Sequence, residues 1–138
     1  MSDLERLLDA ARAAREQAHA PYSGHTVGAA ILGAGGSIHR GCNVENAAYP
    51  EGCCAETSAI AAMVLAGERG IEAIAVVGPG EALCTPCGGC RQRIREFAEP
   101  HTPIYVCGDE GLRRQFTLDE LLPHAFGPEN LSARDRIS

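Results

Sequence analysis

Two short segments hold residue types whose spacing could do chemistry: Cys54-Ala55-Glu56 and Pro86-Cys87-Gly88-Gly89-Cys90. Cys87 and Cys90 are three positions apart, so at a helix start both sulfurs fall on one face of the first turn. A thiolate there meets the positive end of the helix dipole and free backbone N–H groups, and it ionises more readily. Gly88 and Gly89 let the backbone approach whatever the sulfurs hold. With Cys54 the set contains three soft ligands, and zinc is the cation that such a set selects. Three protein ligands leave a fourth tetrahedral position for water, whose pKa the metal lowers; this is the arrangement of a catalytic site rather than a structural one. Glu56 lies two residues beyond Cys54, too close and wrongly directed to become a further ligand, yet able to reach that water. A carboxylate beside a zinc–tris-thiolate centre of net negative charge has its pKa raised, which suits a group that takes a proton and returns it.

Each segment alone says less. A lone Cys-x-x-Cys fits a redox pair or half of a structural zinc site equally well, and Cys-x-Glu alone is nearly uninformative. Together, in this order and at helix starts, they match the ligand-x-Glu followed by Pro-Cys-x-x-Cys that zinc-dependent base deaminases use. Cys53 and Cys84 remain as alternative ligands but lack the matching register, and Cys42 and Cys107 read as small core residues. A zinc-stabilised binding module stays open as a rival, and it requires a fourth protein ligand.

The elements that must position these residues can be read from periodicity. Ser2 and Glu5 have capping-box spacing ahead of Leu4, Leu7, Leu8, Ala11 and Ala14, which predicts a first helix ending by Ala20, before Pro21. Thr26 to Leu32 and Ser37 to Gly41 flank a Gly-rich turn and predict a β-hairpin. Cys54 to Leu65 is apolar on most sides at helical spacing, so that helix should be buried. Ile71 to Val77 is a strand-length apolar run between glycines. A helix from Pro86 or Cys87 to Phe97 follows, then strand candidates at Pro103 to Val106 and Leu112 to Phe116. Thr117 and Glu120 repeat the capping-box spacing, and Gly127 to Ser138 reads as an extended polar tail. The order α-β-β-α-β-α-β-β-α predicts an α/β fold of three layers, α-β-α, with a mixed central sheet of about five strands.

Composition bounds the rest. A chain of 138 residues with 45% hydrophobic residues suits a single globular domain spanning 1–138. No stretch approaches the roughly 18 apolar residues of a membrane span, and the charged start lacks the order of a signal peptide, so a cytoplasmic protein without membrane attachment is expected. Seven cysteines, an odd number, argue against a disulfide framework. The net charge of −6 disfavours nucleic acid as a partner, which also counts against an editing deaminase. The cluster Arg91, Arg93 and Arg95 reads as the solvated face of a helix.

From about Pro21 to Leu131 the chain resembles the short, homotetrameric cytidine deaminases. The resemblance rests on Pro21-Tyr22-Ser23, Val27-Gly28-Ala29-Ala30, Gly41-Cys42-Asn43-Val44-Glu45-Asn46-Ala47 and the two segments above with Arg91-Gln92. It continues through Leu121-Leu122-Pro123 and Phe126-Gly127-Pro128. It implies one zinc per subunit on Cys54, Cys87 and Cys90, and conversion of cytidine and 2′-deoxycytidine to uridine and 2′-deoxyuridine. Glu56 then carries a proton from water to N3 of the base and on to the departing ammonia. By the same resemblance Asn43 and Glu45 bind the ribose, the carboxylate holding the 3′-hydroxyl; by spacing alone they read as turn residues. The backbone of Ala55 reads the base edge, Phe126 closes the site of a neighbouring subunit, and Tyr49 lies near a subunit boundary. Two positions depart from the pattern. His25 stands where a phenylalanine usually stacks on the base, which implies weaker or more pH-sensitive binding or a shifted preference toward other cytosine compounds. Thr57 stands where many members carry an arginine that offsets the thiolate charge, a duty that would otherwise fall to Arg91 or another cation.

Overall fold

The computed structural model describes residues 1–131. Five strands form one sheet in the order β2-β1-β3-β4-β5: β1 (Gly28–Gly33), β2 (Ile38–Cys42), β3 (Ile71–Val77), β4 (Pro103–Gly108) and β5 (Gly111–Thr117). β1 and β2 pair as an antiparallel hairpin, β1 and β3 antiparallel, β3 and β4 parallel, and β4 and β5 antiparallel. The sheet is therefore mixed, as expected.

Both faces of the sheet are covered, because alternate side chains point to opposite sides. On β3, Ile74 and Val76 join one apolar cluster while Ala73, Ala75 and Val77 join the other. Helix α1 (Asp3–Arg15) supplies Leu7 and Ala11 to the second cluster, while α2 (Ala55–Leu65) and α3 (Gly88–Phe97) cover the first with Ala59, Met63 and Ile94. The small residues on β1 and β3 let α1 lie close. The short α4 (Leu118–Leu121) adds Leu118 to the first cluster, on the side of α2 and α3, its start fixed by the Thr117–Glu120 capping box.

The capping box of Ser2 and Glu5 forms as read, with Glu5 N–H donating to Ser2 Oγ at 3.1 Å. Helix α1 ends at Arg15, within the limit that Pro21 sets. The chain leaves it because residue 19 is needed elsewhere: His19 N–H donates to Asn43 O at 3.0 Å, and Glu45 N–H donates to His19 O at 2.7 Å. The expected extended tail, by contrast, begins differently. Pro128–Asn130 form a 3-10 turn and Glu129 pairs with Arg95, so Gly127 to Leu131 fold back on α3. The remainder of that tail, residues 132–138, lies outside the described residues. Among the described residues, no helix is long and apolar enough to cross a membrane.

Candidate functional site

The site is assembled where β2 runs out of the sheet. Beyond Cys42 the chain stays extended, and Val44 bridges His19 on one side and Cys53 on the other. Val44 and Cys53 exchange both backbone hydrogen bonds, each 2.9 Å. That single bridge fixes Cys54 beside Asn43 and Glu45 and starts α2 there. Ser58 Oγ donates to Cys42 O at 2.8 Å, fastening the first turn of α2 to the end of β2.

Helices α2 and α3 both begin with a cysteine in the N-cap position, Cys54 and Cys87, and neither side chain caps its own helix. Serine, threonine, asparagine or aspartate would ordinarily stand there to accept a first-turn N–H. Here the sulfurs point away toward each other. The Sγ atoms of Cys54, Cys87 and Cys90 all lie within 4.8 Å of one another, with Cys54 and Cys87 at 3.8 Å. Two thiolates on a tetrahedral zinc with bonds of about 2.3 Å would sit about 3.8 Å apart, so the spacing fits that ion. Among the described residues the group ends at three; Cys53 and Cys84 are outside it. Cys90 is buried, Cys54 half-buried and Cys87 exposed. Burial pushes the Cys54 and Cys90 thiols up, and the Glu56 carboxylate and neighbouring sulfurs push Cys90 further. Such a set ionises together only around a cation.

Glu56, on the first turn of α2, is only 4% exposed, and burial pushes its carboxyl above the usual range. Thr57 Oγ1 lies 3.8 Å from Cys90 Sγ, within reach of a weak hydrogen bond to sulfur. Arg91 is hydrogen-bonded to backbone on either side of the site. Its guanidinium donates to Pro86 O at 2.7 Å and Leu121 O at 2.8 Å, bracing the loop that delivers Cys87. Arg95 is likewise engaged with Glu129, so the reading of this cluster as a solvated face holds only for Arg93.

A cavity of about 490 Å³ opens against Cys54, lined also by Asn43, Glu45 and Tyr49. Asn43 and Glu45 alternate with Val44 along an extended segment and so share a side. Asn43 is pinned at both ends of its amide: Oδ1 accepts Val27 N–H at 2.8 Å, and Nδ2 donates to His25 O at 2.8 Å. Among the described residues, nothing takes the second amide proton. Glu45 Oε1 accepts from Tyr22 N–H at 2.9 Å and Ser23 N–H at 3.2 Å, while Oε2 accepts from Ser23 Oγ–H. These bonds, led by the Ser23 hydroxyl, hold the Glu45 carboxyl below the usual range.

The remaining residues singled out from the sequence stand apart from this lining. Ala55 is fully buried at the start of α2. His25 is exposed, at the end of the loop that Asn43 anchors. Phe126 is 57% exposed, and its carbonyl accepts from Gln92 Nε2 at 2.8 Å, on the α3 side. Tyr22 and Ser23 line the cavity without having been given a role; their only signal was membership of the Pro21-Tyr22-Ser23 motif. Tyr22 and Tyr49 face each other at its rim with ring centroids 6.0 Å apart.

The sequence profile of the cytidine and deoxycytidylate deaminase zinc-binding region matches residues 1–106. The chain is 45% identical over 130 residues to a cytidine deaminase of Sporosarcina psychrophila, covering 94% of this chain and 96% of that one. It is 41% identical over 130 residues to a cytidine deaminase of Halalkalibacterium halodurans, covering 94% and 98%. A crystal structure of cytidine deaminase from Burkholderia pseudomallei superposes with a TM-score of 0.85 at 42% identity, covering 91% of this chain and all of that one.

Proposed function

The chain belongs to the cytidine and deoxycytidylate deaminase zinc-binding family, and on that premise we propose that it deaminates cytidine and 2′-deoxycytidine hydrolytically to uridine and 2′-deoxyuridine. One observation carries this reading: three sulfurs from two helix starts meet beside a buried glutamate, at a cavity that Cys54 shares with Asn43 and Glu45.

Cys54, Cys87 and Cys90 hold the zinc. When bound, zinc supplies a water acidic enough to lose a proton near neutral pH. Glu56 would accept that proton and deliver it to N3 of the base as the water oxygen bonds to C4. It would then take the proton remaining on that oxygen and give it to the 4-amino group, so that the C4–N bond breaks and ammonia leaves. Water is consumed and Glu56 ends each cycle as it began. Its burial favours the protonated form in which it must hand a proton on. The backbone of Ala55 reads the base edge at the start of α2.

Asn43 and Glu45 take the sugar. The spare amide proton of Asn43 and the spare lone pair of Glu45 Oε2 make one donor and one acceptor, the complement of a single hydroxyl. The family resemblance assigns that hydroxyl to the 3′ position, which ribose and 2′-deoxyribose share, and this supports turnover of both nucleosides. The Glu45 carboxylate, held ionised, repels a 5′-phosphate and favours nucleosides over nucleotides. His25 flanks the base with an imidazole where a larger ring would stack more strongly.

The active species in this reading is a homotetramer with one zinc per subunit, in which Phe126 closes a neighbour's site and Tyr49 lies near a boundary. Their exposure, 57% and 76%, supports burial by another copy. Seven free cysteines suit a reducing compartment, the cytoplasm. The test is loss of absorbance at the cytidine band. Turnover should vanish with a strong chelator, return with zinc, and fall by about 10²- to 10⁴-fold in Glu56→Gln while zinc is retained. Turnover indifferent to both perturbations would overturn the proposal.

A further inference from the structure

The turn from Pro21 to Gly24 is closed by Gly24 N–H donating to Ala20 O at 2.9 Å, with Gly24 at φ 70°, a left-handed value that glycine adopts without strain. This turn presents three donors to one carboxylate. The two backbone N–H groups of Tyr22 and Ser23 converge on Glu45 Oε1, whereas Oε2 is held by the Ser23 hydroxyl. The direction of that hydroxyl is itself fixed, because His25 N–H donates to Ser23 Oγ at 3.0 Å and occupies a lone pair. A serine hydroxyl has one proton to give, and here it goes to Glu45.

We propose that Ser23 is a positioning residue for sugar recognition: its hydroxyl sets the rotation of the Glu45 carboxylate so that the free lone pair of Oε2 faces the cavity. The inference rests on the reading that Glu45 accepts a sugar hydroxyl. Backbone N–H groups anchor Oε1 whatever the side chain at position 23, so they hold the carboxylate in place but leave it free to turn. Among the described residues, only the Ser23 side chain donates to Oε2. The residue touches no reacting atom, and its effect belongs to binding rather than to chemistry.

The experiment compares wild type, Ser23→Ala, Ser23→Thr and Glu45→Ala on two substrates, cytidine and 3′-deoxycytidine. With cytidine, Ser23→Ala should raise KM about tenfold, the scale of a hydrogen bond to a charged group, while kcat stays within about threefold. With 3′-deoxycytidine, wild type and Ser23→Ala should have equal kcat/KM, because the hydroxyl through which Ser23 acts is missing. Ser23→Thr keeps the hydroxyl and should restore the cytidine KM. An unchanged cytidine KM in Ser23→Ala, with Glu45→Ala impaired, overturns the role of Ser23 and leaves that of Glu45 standing. An equal loss on both substrates overturns it too, by showing a merely structural contribution. If Glu45→Ala binds cytidine normally, the reading of Glu45 falls first and the inference falls with it.

Discussion

Gly41, on β2, presses against the first turn of α2 at the point where that helix carries Glu56. A Cβ built at Gly41 would lie 2.3 Å from Ala59 N, 2.7 Å from Ala55 O and 2.6 Å from Ser58 Cβ. Two of these atoms are backbone of one helical turn, so no side-chain rotation relieves the clash. Reaching the 3.4 Å of ordinary contact requires α2 and β2 to separate by about 1 Å at that turn. Gly41→Ala should therefore cost about 1–3 kcal/mol of stability by overpacking. It should also displace Glu56 and Cys54 relative to Cys87 and Cys90, and a 1 Å misplacement of catalytic groups costs about 10²-fold in rate. The proper comparison is Gly28→Ala, whose Cβ would meet Ala11 O at 2.0 Å and Arg15 N at 2.6 Å on the α1 side of the sheet. Both variants should lower the urea midpoint. Measured per folded, zinc-loaded enzyme, cytidine turnover should fall about 10²-fold in Gly41→Ala and less than about tenfold in Gly28→Ala. If Gly41→Ala retains kcat within about threefold, or if both variants lose activity equally, the placement of α2 by Gly41 is refuted.

Thr57→Val conserves shape but removes the hydroxyl beside Cys90, and zinc should pass to a competing chelator about tenfold faster than from wild type, with Thr57→Ser close to wild type. Equal release rates for Val and Thr would contradict this. Glu68 ties the β1–β2 hairpin to the end of α2: its carboxylate accepts from His39 Nε2–H and from Gly35 N–H at 2.6 Å. The His39 contact leads in holding the Glu68 carboxyl below its ordinary value of 4.5. A depressed carboxyl contributes stability that is complete above that value and lost as pH falls below it. Wild type should thus exceed Glu68→Gln in urea midpoint at pH 7, with the gap closing as pH falls below 4.5; a constant gap would contradict it.

Much of the fold was legible where a pattern is local. Ile71–Val77 is a strand because its residues between glycines are apolar but for Glu72, and all except that exposed residue are buried, as suits a central strand. The N-termini of α2 and α3 were legible because cysteines precede helical spacing without an intervening turn, and the sulfurs do meet. What escaped depends on contacts between distant residues. The His19–Val44–Cys53 bridges draw the chain across the end of β2 after α1 and seat Cys54, yet each is an isolated pairing and leaves no periodicity. The tie from Ser23 to Glu45 spans 22 positions and is equally silent in the sequence. Arg91 and Arg95 read as a solvated face because helical spacing cannot show that loops fold back over them.

The central claim is that three sulfurs hold a zinc whose remaining position stays open to water. X-ray absorption at the zinc edge, on the loaded enzyme in solution, counts those neighbours directly. Three sulfurs and one oxygen or nitrogen, falling to two sulfurs in Cys90→Ser, is the predicted result. A shell of four protein ligands, or one without sulfur, would contradict it.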